Sequence, residues 1–192
     1  MEDQGNAARQ RDWGSLAKGK RPPRNWIRDE LWSTGVSADD YARPEAYRAA
    51  ILDQYKTYVE MADRISARRG LTNTFFITLN SAVFTVIGLF WKDRPPEPSA
   101  PTLAVLLAVA LAQCAAWYFI VRSYRQLNTV KYDVVGLLEE RLPASPYYAA
   151  EWAALKKGED KRVYWPLSHV EQWIPILFGL IYIAGAILVK AA

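Results

Sequence analysis

Histidine and cysteine are nearly missing from this chain, which has one of each, His169 and Cys114, among 192 residues. A single cysteine cannot form a disulfide within one chain, and it cannot build a zinc site of paired cysteines. The sequence also has no glycine-rich phosphate loop and no serine in a strand–turn–helix setting. We therefore expect no metal site, no cofactor and no enzyme activity.

Charge is missing from three long stretches. After Arg68 and Arg69, no charged residue occurs before Lys92, which leaves 22 uncharged residues. Roughly 20 such residues are enough for a helix to cross the hydrocarbon core of a bilayer. The pattern predicts an all-α membrane protein with three transmembrane helices, at about 71–91, 102–121 and 173–189.

The third apolar stretch is the shortest, with only 16 residues from Ile174 to Val189. We expect Pro175 in the first turn of its helix, where proline is tolerated. A helix that enters the membrane and returns, or one that lies in the interface, is the alternative to a full crossing.

The basic residues are unevenly distributed around these stretches. Of 24 lysines and arginines, 13 lie in residues 1–70 and 8 in residues 122–170. Because cytoplasmic segments of membrane proteins carry the excess of basic residues, both regions are expected in the cytoplasm. The first apolar run begins after about 70 residues, which is not typical of a secretory signal peptide. We predict a multi-pass protein of the cell inner membrane, with its N-terminus cytoplasmic and its C-terminus outside.

The first two spans are predicted to extend out of the membrane as an antiparallel pair of cytoplasmic helices, 44–70 and 122–142. In the first extension, apolar residues recur at steps of four and three, which is typical of helix-on-helix packing. Gly70 costs a helix only about 1 kcal/mol. We therefore expect one nearly continuous helix from about 44 to 91, and a second that ends before Pro143.

Two further regions complete the predicted cytoplasmic part. Residues 1–38 are basic, rich in glycine and proline, and carry three tryptophans, which favours a flexible N-terminal arm. The alternatives are contact with anionic lipid or nucleic acid, and an ordered strap whose tryptophans pack on the cytoplasmic helices. The rest of the chain, 39–192, is the helical membrane domain. Its aromatic segment, 143–170, indicates interfacial anchors or a ligand-stacking pocket.

Polar residues lie along the first two spans. Four hydroxyl residues of the first span follow each other at steps of four, three and four, which places them on one helix face. Such a face either lines a pore in an oligomer or packs against another helix. The candidate residues of this seam are Thr74, Thr78, Asn80, Ser81, Thr85 and Gln113, and Gln113 is expected to bond to Asn80 or Thr85.

Arginines gather where the two helices leave the bilayer. They can bind lipid phosphate or a cytosolic anion through charge-assisted hydrogen bonds, although the general excess of basic residues on the cytoplasmic side of membrane proteins explains them more simply. The candidate anion-binding residues are Arg64, Arg68, Arg69, Arg122 and Arg125.

One run, YKTYVEMADRISARRGLTNTFFITLNS, is followed along the chain by RSYRQLN, LEERLP and HVEQWIP. Across roughly residues 47–178 the chain resembles small multi-span bacterial membrane proteins of antiphage conflict systems, of the SLATT-like kind. The resemblance implies a membrane-disrupting or pore-forming effector that a cytoplasmic signal controls. It also implies a two- or three-span helical fold with cytoplasmic extensions.

Two functions are therefore open at this point. The first is an oligomeric effector of antiphage defence, whose partners are the lipid bilayer, further copies of itself and a cytosolic protein or nucleotide signal. The second is a membrane-anchored adaptor or sensor that recruits a cytosolic protein, nucleotide or nucleic acid. Nucleic acid is the partner we favour least.

Overall fold

The computed structural model describes residues 22–33, 35–92, 99–160, 162–164 and 167–191. Within these ranges the chain is helical and contains no strand. The all-α prediction is confirmed. The four principal helices are α1 (Arg24–Leu31), α2 (Pro44–Lys92), α3 (Ala100–Glu139) and α4 (Leu167–Ala191).

Three of these helices, α2, α3 and α4, are long and apolar enough to cross a membrane. This confirms the three predicted spans. The third helix begins at Leu167, well before the predicted residue 173, so its length is sufficient for a full crossing. Pro175 consequently lies inside α4 and not in its first turn, and its ring is fully buried. Packing against the neighbouring helices makes this interior proline tolerable.

Helix α2 is continuous over 49 residues, as predicted. Gly70 lies within it, and the space around its Cα is open. A turn at Ala38–Asp40 precedes α2, and its capping box pairs Ser37 with Asp40. Ser37 and Asp40 therefore cap this turn, and α2 itself begins at Pro44.

Helix α3 runs antiparallel to α2 and packs along it beyond the apolar stretches. Near the end of α3, the Tyr55 hydroxyl donates to Glu139 at 3.1 Å. Closer to the membrane, the Asn128 amide donates to Ser66 at 3.4 Å. The predicted antiparallel pair is confirmed, although α3 ends at Glu139, three residues before the predicted boundary.

The end of this pair carries a helix that was predicted as part of the flexible arm. Helix α1 buries Ile27 against Val134, Leu137 and Leu138 of α3. Trp26 and Trp32 pack around this core, so the ordered-strap interpretation describes residues 24–32, and the flexible-arm prediction is wrong there. Proline and glycine flank this stretch but do not interrupt it, which leaves it free to form an amphipathic helix. Residues 1–21 of the predicted arm lie outside the described residues.

Short helical turns connect α3 to α4. They run from Pro146 to Glu151, from Trp152 to Ala154 and from Lys156 to Gly158. Gly158 ends the last turn at φ +73°, a conformation that suits glycine. Tyr147, Tyr148 and Trp152 of the predicted aromatic segment remain more than a third exposed. Trp165, which completes the predicted aromatic set, lies outside the described residues.

Candidate functional site

The polar residues of the α2 span, most of them in the predicted seam, form a buried group and an exposed group. Asn73 and Asn80 are buried, and each bonds to a different neighbouring helix. The Trp117 indole N–H of α3 donates to Asn73 Oδ1 at 2.9 Å, and the Tyr182 hydroxyl of α4 donates to Asn80 Oδ1 at 2.8 Å. Asn80 is therefore an interhelical contact of the bundle and not a member of an exposed polar face.

The hydroxyl face, which we define as Thr74, Thr78, Ser81 and Thr85, lies on the surface of the single chain. All four residues are exposed. Thr74 and Thr85 donate to backbone carbonyls of their own helix, at Gly70 and Ser81, over 3.1 and 2.9 Å. Such bonds let a hydroxyl exist in a membrane without an interhelical partner. The hydroxyl face is thus not used in the packing of this chain on itself.

Gln113 does not make the contact expected from the sequence. Asn80 Oδ1 is occupied by Tyr182, and the Asn80 amide donates to the Phe76 carbonyl at 2.7 Å. The Gln113 amide nitrogen is buried and has no hydrogen-bond partner among the described residues. The sequence places both residues in the spans but does not specify their height or rotation, so the expected pairing with Asn80 is wrong.

Aromatic rings surround the two asparagines. Phe76 stacks on Trp117 with ring centroids 5.4 Å apart, and Phe84 stacks on Tyr182 at 4.8 Å. These rings shield the hydrogen bonds of the two asparagine side chains from lipid, and they hold the three helices side by side. Sequence reasoning missed Trp117 and Tyr182 as the partners of these two asparagines.

The predicted arginine cluster is mostly taken up by contacts within the chain. Arg69 of α2 lies 3.1 Å from Glu171 of α4, with both side chains largely buried. This contact is a charge pair without directed hydrogen-bond geometry, since neither facing atom has a hydrogen-bond partner. Arg125 of α3 donates to Gln172 of α4 at 2.7 Å. The adjacent residues Glu171 and Gln172, in the HVEQWIP motif, therefore connect α4 to both other spans.

The remaining arginines do not form one described site. Arg64 pairs with Glu60 one turn earlier on α2, at 2.6 Å on the surface. Arg68 and Arg122 are exposed, and neither has a partner among the described residues. Of the five candidate anion ligands, these two are the ones left available to an outside anion.

A buried carboxylate that the sequence did not single out lies at the far end of α3. Glu139 is 1% exposed and accepts four hydrogen bonds. The Tyr55 hydroxyl and the Tyr147 backbone N–H reach Oε1, both at 3.1 Å. The Ser145 hydroxyl and the Tyr148 N–H reach Oε2 at 2.6 and 3.0 Å. Glu139, the first glutamate of the LEERLP motif, joins α2, α3 and the connecting turns.

The tyrosine at this carboxylate remains a proton donor over a wide pH range. Burial, followed by the hydrogen bond and charge of Glu139, raises the pKa of Tyr55 to about 12. Nearby, burial raises the pKa of Tyr58, whose ring faces the Lys131 ammonium at 4.4 Å. Both phenols are neutral at physiological pH, so the arrangement is a structural junction. In the described part of the chain, no three His, Cys, Asp or Glu side chains come together as a metal site.

Comparison with known proteins identifies the family of this chain. Residues 52–191 match the model of the Octameric membrane protein family (8xMP). The match covers most of the chain, from the first half of α2 to the end of α4. No curated protein and no solved structure matches the chain significantly. The family match confirms a small integral membrane protein, and it does not specify an antiphage effector. The chain belongs to the octameric membrane protein family.

Proposed function

We propose that this protein assembles as a homo-octamer in the bacterial inner membrane and acts as a pore-forming, membrane-disrupting effector of antiphage defence. In this proposal a cytoplasmic signal controls the assembly. The observation that carries the proposal is the hydroxyl face of α2, which is exposed in the single chain although it lies in a membrane span.

Exposed polar groups in a span usually face protein or water and not lipid. Within the membrane span, the hydrogen bonds that join α2 to the neighbouring helices involve Asn73 and Asn80, on a different face of the helix. The hydroxyl face is therefore available for a role between copies. Around a central axis, copies of this face would form a lumen with rings of small hydroxyl side chains.

The family description supports eight copies for such an assembly. Most soluble homo-oligomers adopt closed symmetry, and a head-to-tail contact that closes on itself generates a ring. In a ring, every α2 has the same position relative to the axis. Thr74, Thr78, Ser81 and Thr85 would then repeat at four heights along one channel.

The continuity of α2 supports control from the cytoplasm. The same helix that carries the hydroxyl face carries Tyr55 and Tyr58 at its other end, where they contact α3 and the junction at Glu139. No break separates these regions within α2. A partner or nucleotide that shifts the cytoplasmic end would therefore rotate or translate the membrane end as well.

The test is induced expression in bacteria with a membrane-potential dye, followed by phage challenge. We expect depolarisation by the native chain and at least a tenfold smaller response from the fourfold variant Thr74→Val, Thr78→Val, Ser81→Ala and Thr85→Val. The matched control is Thr72→Val, which removes a hydroxyl that donates to the Arg68 carbonyl on the same helix. The control should depolarise normally.

Native mass spectrometry of each variant distinguishes a change in the pore lining from a loss of the octamer. The fourfold variant should remain octameric, because the proposal assigns its hydroxyls to the lumen. If the native chain does not depolarise the membrane, or if the fourfold variant depolarises it fully, the pore proposal fails. Normal phage growth despite depolarisation would contradict the defence role alone.

A second candidate, the membrane-anchored adaptor or sensor, is favoured by the two exposed arginines. Arg68 on α2 and Arg122 on α3 offer guanidinium groups to a nucleotide or lipid phosphate. Saturable nucleotide binding that is lost in Arg68→Ala/Arg122→Ala would support it. Equal binding by the double variant and the native chain would exclude a site at these residues.

A further inference from the structure

The two asparagines that join α2 to its neighbours lie well away from the hydroxyl face. At about 100° per residue, Asn73 and Asn80 are about a third of the way around the helix from the centre of that face. Their partners are Trp117 of α3 and Tyr182 of α4. When the hydroxyl face is turned to a central axis, α3 and α4 therefore lie mostly outside the ring of α2 helices. They leave neighbouring α2 helices free to approach each other.

The number of copies sets the smallest width of a lumen that α2 lines. The proposed assembly has eight copies, as the family description indicates. Packed helices lie about 8–10 Å apart, so eight α2 helices in contact place their axes about 10–13 Å from the centre of the ring. Each helix with its side chains takes up about 5–6 Å of this radius. The lumen that remains is about 10–14 Å wide, which is the width of a helix with its side chains.

The lining carries no group that can replace the water around an ion. Selectivity filters use rings of free backbone carbonyls or of charged side chains for this purpose. The carbonyls of α2 belong to a continuous helix, and no charged residue occurs from Gly70 to Trp91. The hydroxyls of Thr74 and Thr85 donate to their own helix. An ion therefore keeps its water shell in such a lumen, and the lining does not distinguish the sign of its charge.

The exposed residues of α2 just before the span carry charges of both signs. Glu60 pairs with Arg64 at 2.6 Å, and both are exposed. Asp63 and Arg68 are exposed as well. These two acidic and two basic residues sum to no net charge, so this part of α2 gives the entrance no preference for anions or cations.

We propose that the lumen is a wide, unselective pore that passes small metabolites such as nucleotides, as well as ions of both signs. This inference rests on the proposed pore and adds the class of solutes that cross it. Folded proteins stay out, because a domain of about 100 residues has a radius of gyration of about 13 Å.

The first test is release from liposomes that contain the purified octamer. We enclose potassium, ATP and a labelled folded domain of about 100 residues. Potassium and ATP should be released, and the labelled domain should be retained. In a planar bilayer with a gradient of potassium chloride, the reversal potential should be close to zero, because anion and cation carry similar currents.

The second test places a cysteine in the lining, in a Cys114→Ala background. Thr78 of α2 is exposed, and Leu180 of α4 is 59% exposed. The two lie at the same depth, since each precedes the bonded pair Asn80 and Tyr182 by two residues. After assembly, a bulky, water-soluble maleimide should label Thr78→Cys and reduce its ATP release at least tenfold. The matched control, Leu180→Cys, should stay unlabelled and release ATP like the native chain.

The results distinguish this inference from the pore itself. Potassium release without ATP release, a strong preference for one sign of charge, or escape of the labelled domain would overturn the unselective pore of this width, although a pore would remain. Equal labelling of the two cysteine variants would overturn the lining by the hydroxyl face. If no solute is released at all, the proposed pore fails, and this inference fails with it.

Discussion

Neighbouring glutamates at the end of α3 have opposite environments. Glu139 is buried and accepts four hydrogen bonds, two of them from backbone N–H groups. Glu140 is exposed and pairs with Arg24 and Arg28 at 3.0 Å. Glu139 should contribute more to stability than Glu140, because a surface ion pair is worth at most about 1 kcal/mol.

We expect Glu139→Gln to lower the free energy of unfolding by about 2–4 kcal/mol. The amide replaces one carboxylate oxygen with an N–H₂ group, and each oxygen position faces a backbone N–H, from Tyr147 or Tyr148. In either rotamer, one backbone donor therefore loses its acceptor. Thermal unfolding in detergent measures the loss, and limited proteolysis should show faster cleavage near Ser145.

The control for this substitution is Glu140→Gln, which also removes one negative charge and is adjacent in sequence. It should cost less than about 1 kcal/mol. If both variants unfold at the same temperature, the four bonds at Glu139 are not a stabilising junction.

At this scale the sequence predicted residue types better than their partners. It identified the polar residues of the first span, but it grouped Asn80 with the hydroxyl face and paired it with Gln113. The apolar residues of a span do not indicate which face is turned inward, because lipid and the bundle interior accept the same side chains. The partner of Asn80, Tyr182, lies 102 residues away in the chain.

Helix α2 changes the chemistry of its packing face where it enters the membrane. Its inner face is apolar or phenolic at Ile51, Tyr55 and Tyr58 before the apolar stretch, and it carries amides at Asn73 and Asn80 in the span. Apolar contact drives helix association in water but not in lipid, where packing and hydrogen bonds replace it. Helix α2 thus packs through apolar contacts in water, and through close packing and hydrogen bonds in the membrane.

A double-mutant cycle on Asn80→Leu and Tyr182→Phe should report this membrane contact. Removing either partner leaves the other without its bond inside the membrane, while the double variant removes both. We expect a coupling energy of about 0.6 kcal/mol, and at most about 1.7 kcal/mol, as for other hydrogen bonds between spans. Unfolding by increasing SDS fractions in mixed micelles measures all four proteins.

The outer hydroxyls provide the comparison for the cycle. Thr78→Val paired with Tyr182→Phe should show no coupling, because Thr78 is exposed on the outer face of α2. A coupling of Asn80 with Tyr182 no larger than this would mean that the buried bond does not hold α2 to α4.

For the whole molecule, the apolar stretches predicted the number of spans and the long helical extensions. The prediction of a packed helical pair rested on the spacing of apolar residues in the first extension. The helix at Arg24–Leu31 was missed, because its stability comes from the distant core at Leu137 and Leu138 and not from its own short sequence. Eight residues of helix are marginal in water without such packing.

The distribution of basic residues also predicts an orientation for the whole molecule. Thirteen lysines and arginines precede residue 71, and only Lys190 follows the third apolar stretch. Because basic residues are in excess on the cytoplasmic side, the N-terminal part is expected in the cytoplasm.

Single cysteines in a Cys114→Ala background test this orientation, since Asp53 and Ala191 are both exposed. In intact spheroplasts a bulky, impermeant maleimide should label Ala191→Cys and leave Asp53→Cys unlabelled until the membrane is permeabilised. The native Cys114 is 5% exposed, so native protein should stay unlabelled throughout. Labelling of Asp53→Cys alone in intact spheroplasts would reverse the orientation, and it would place the junction at Glu139 outside the cytoplasm.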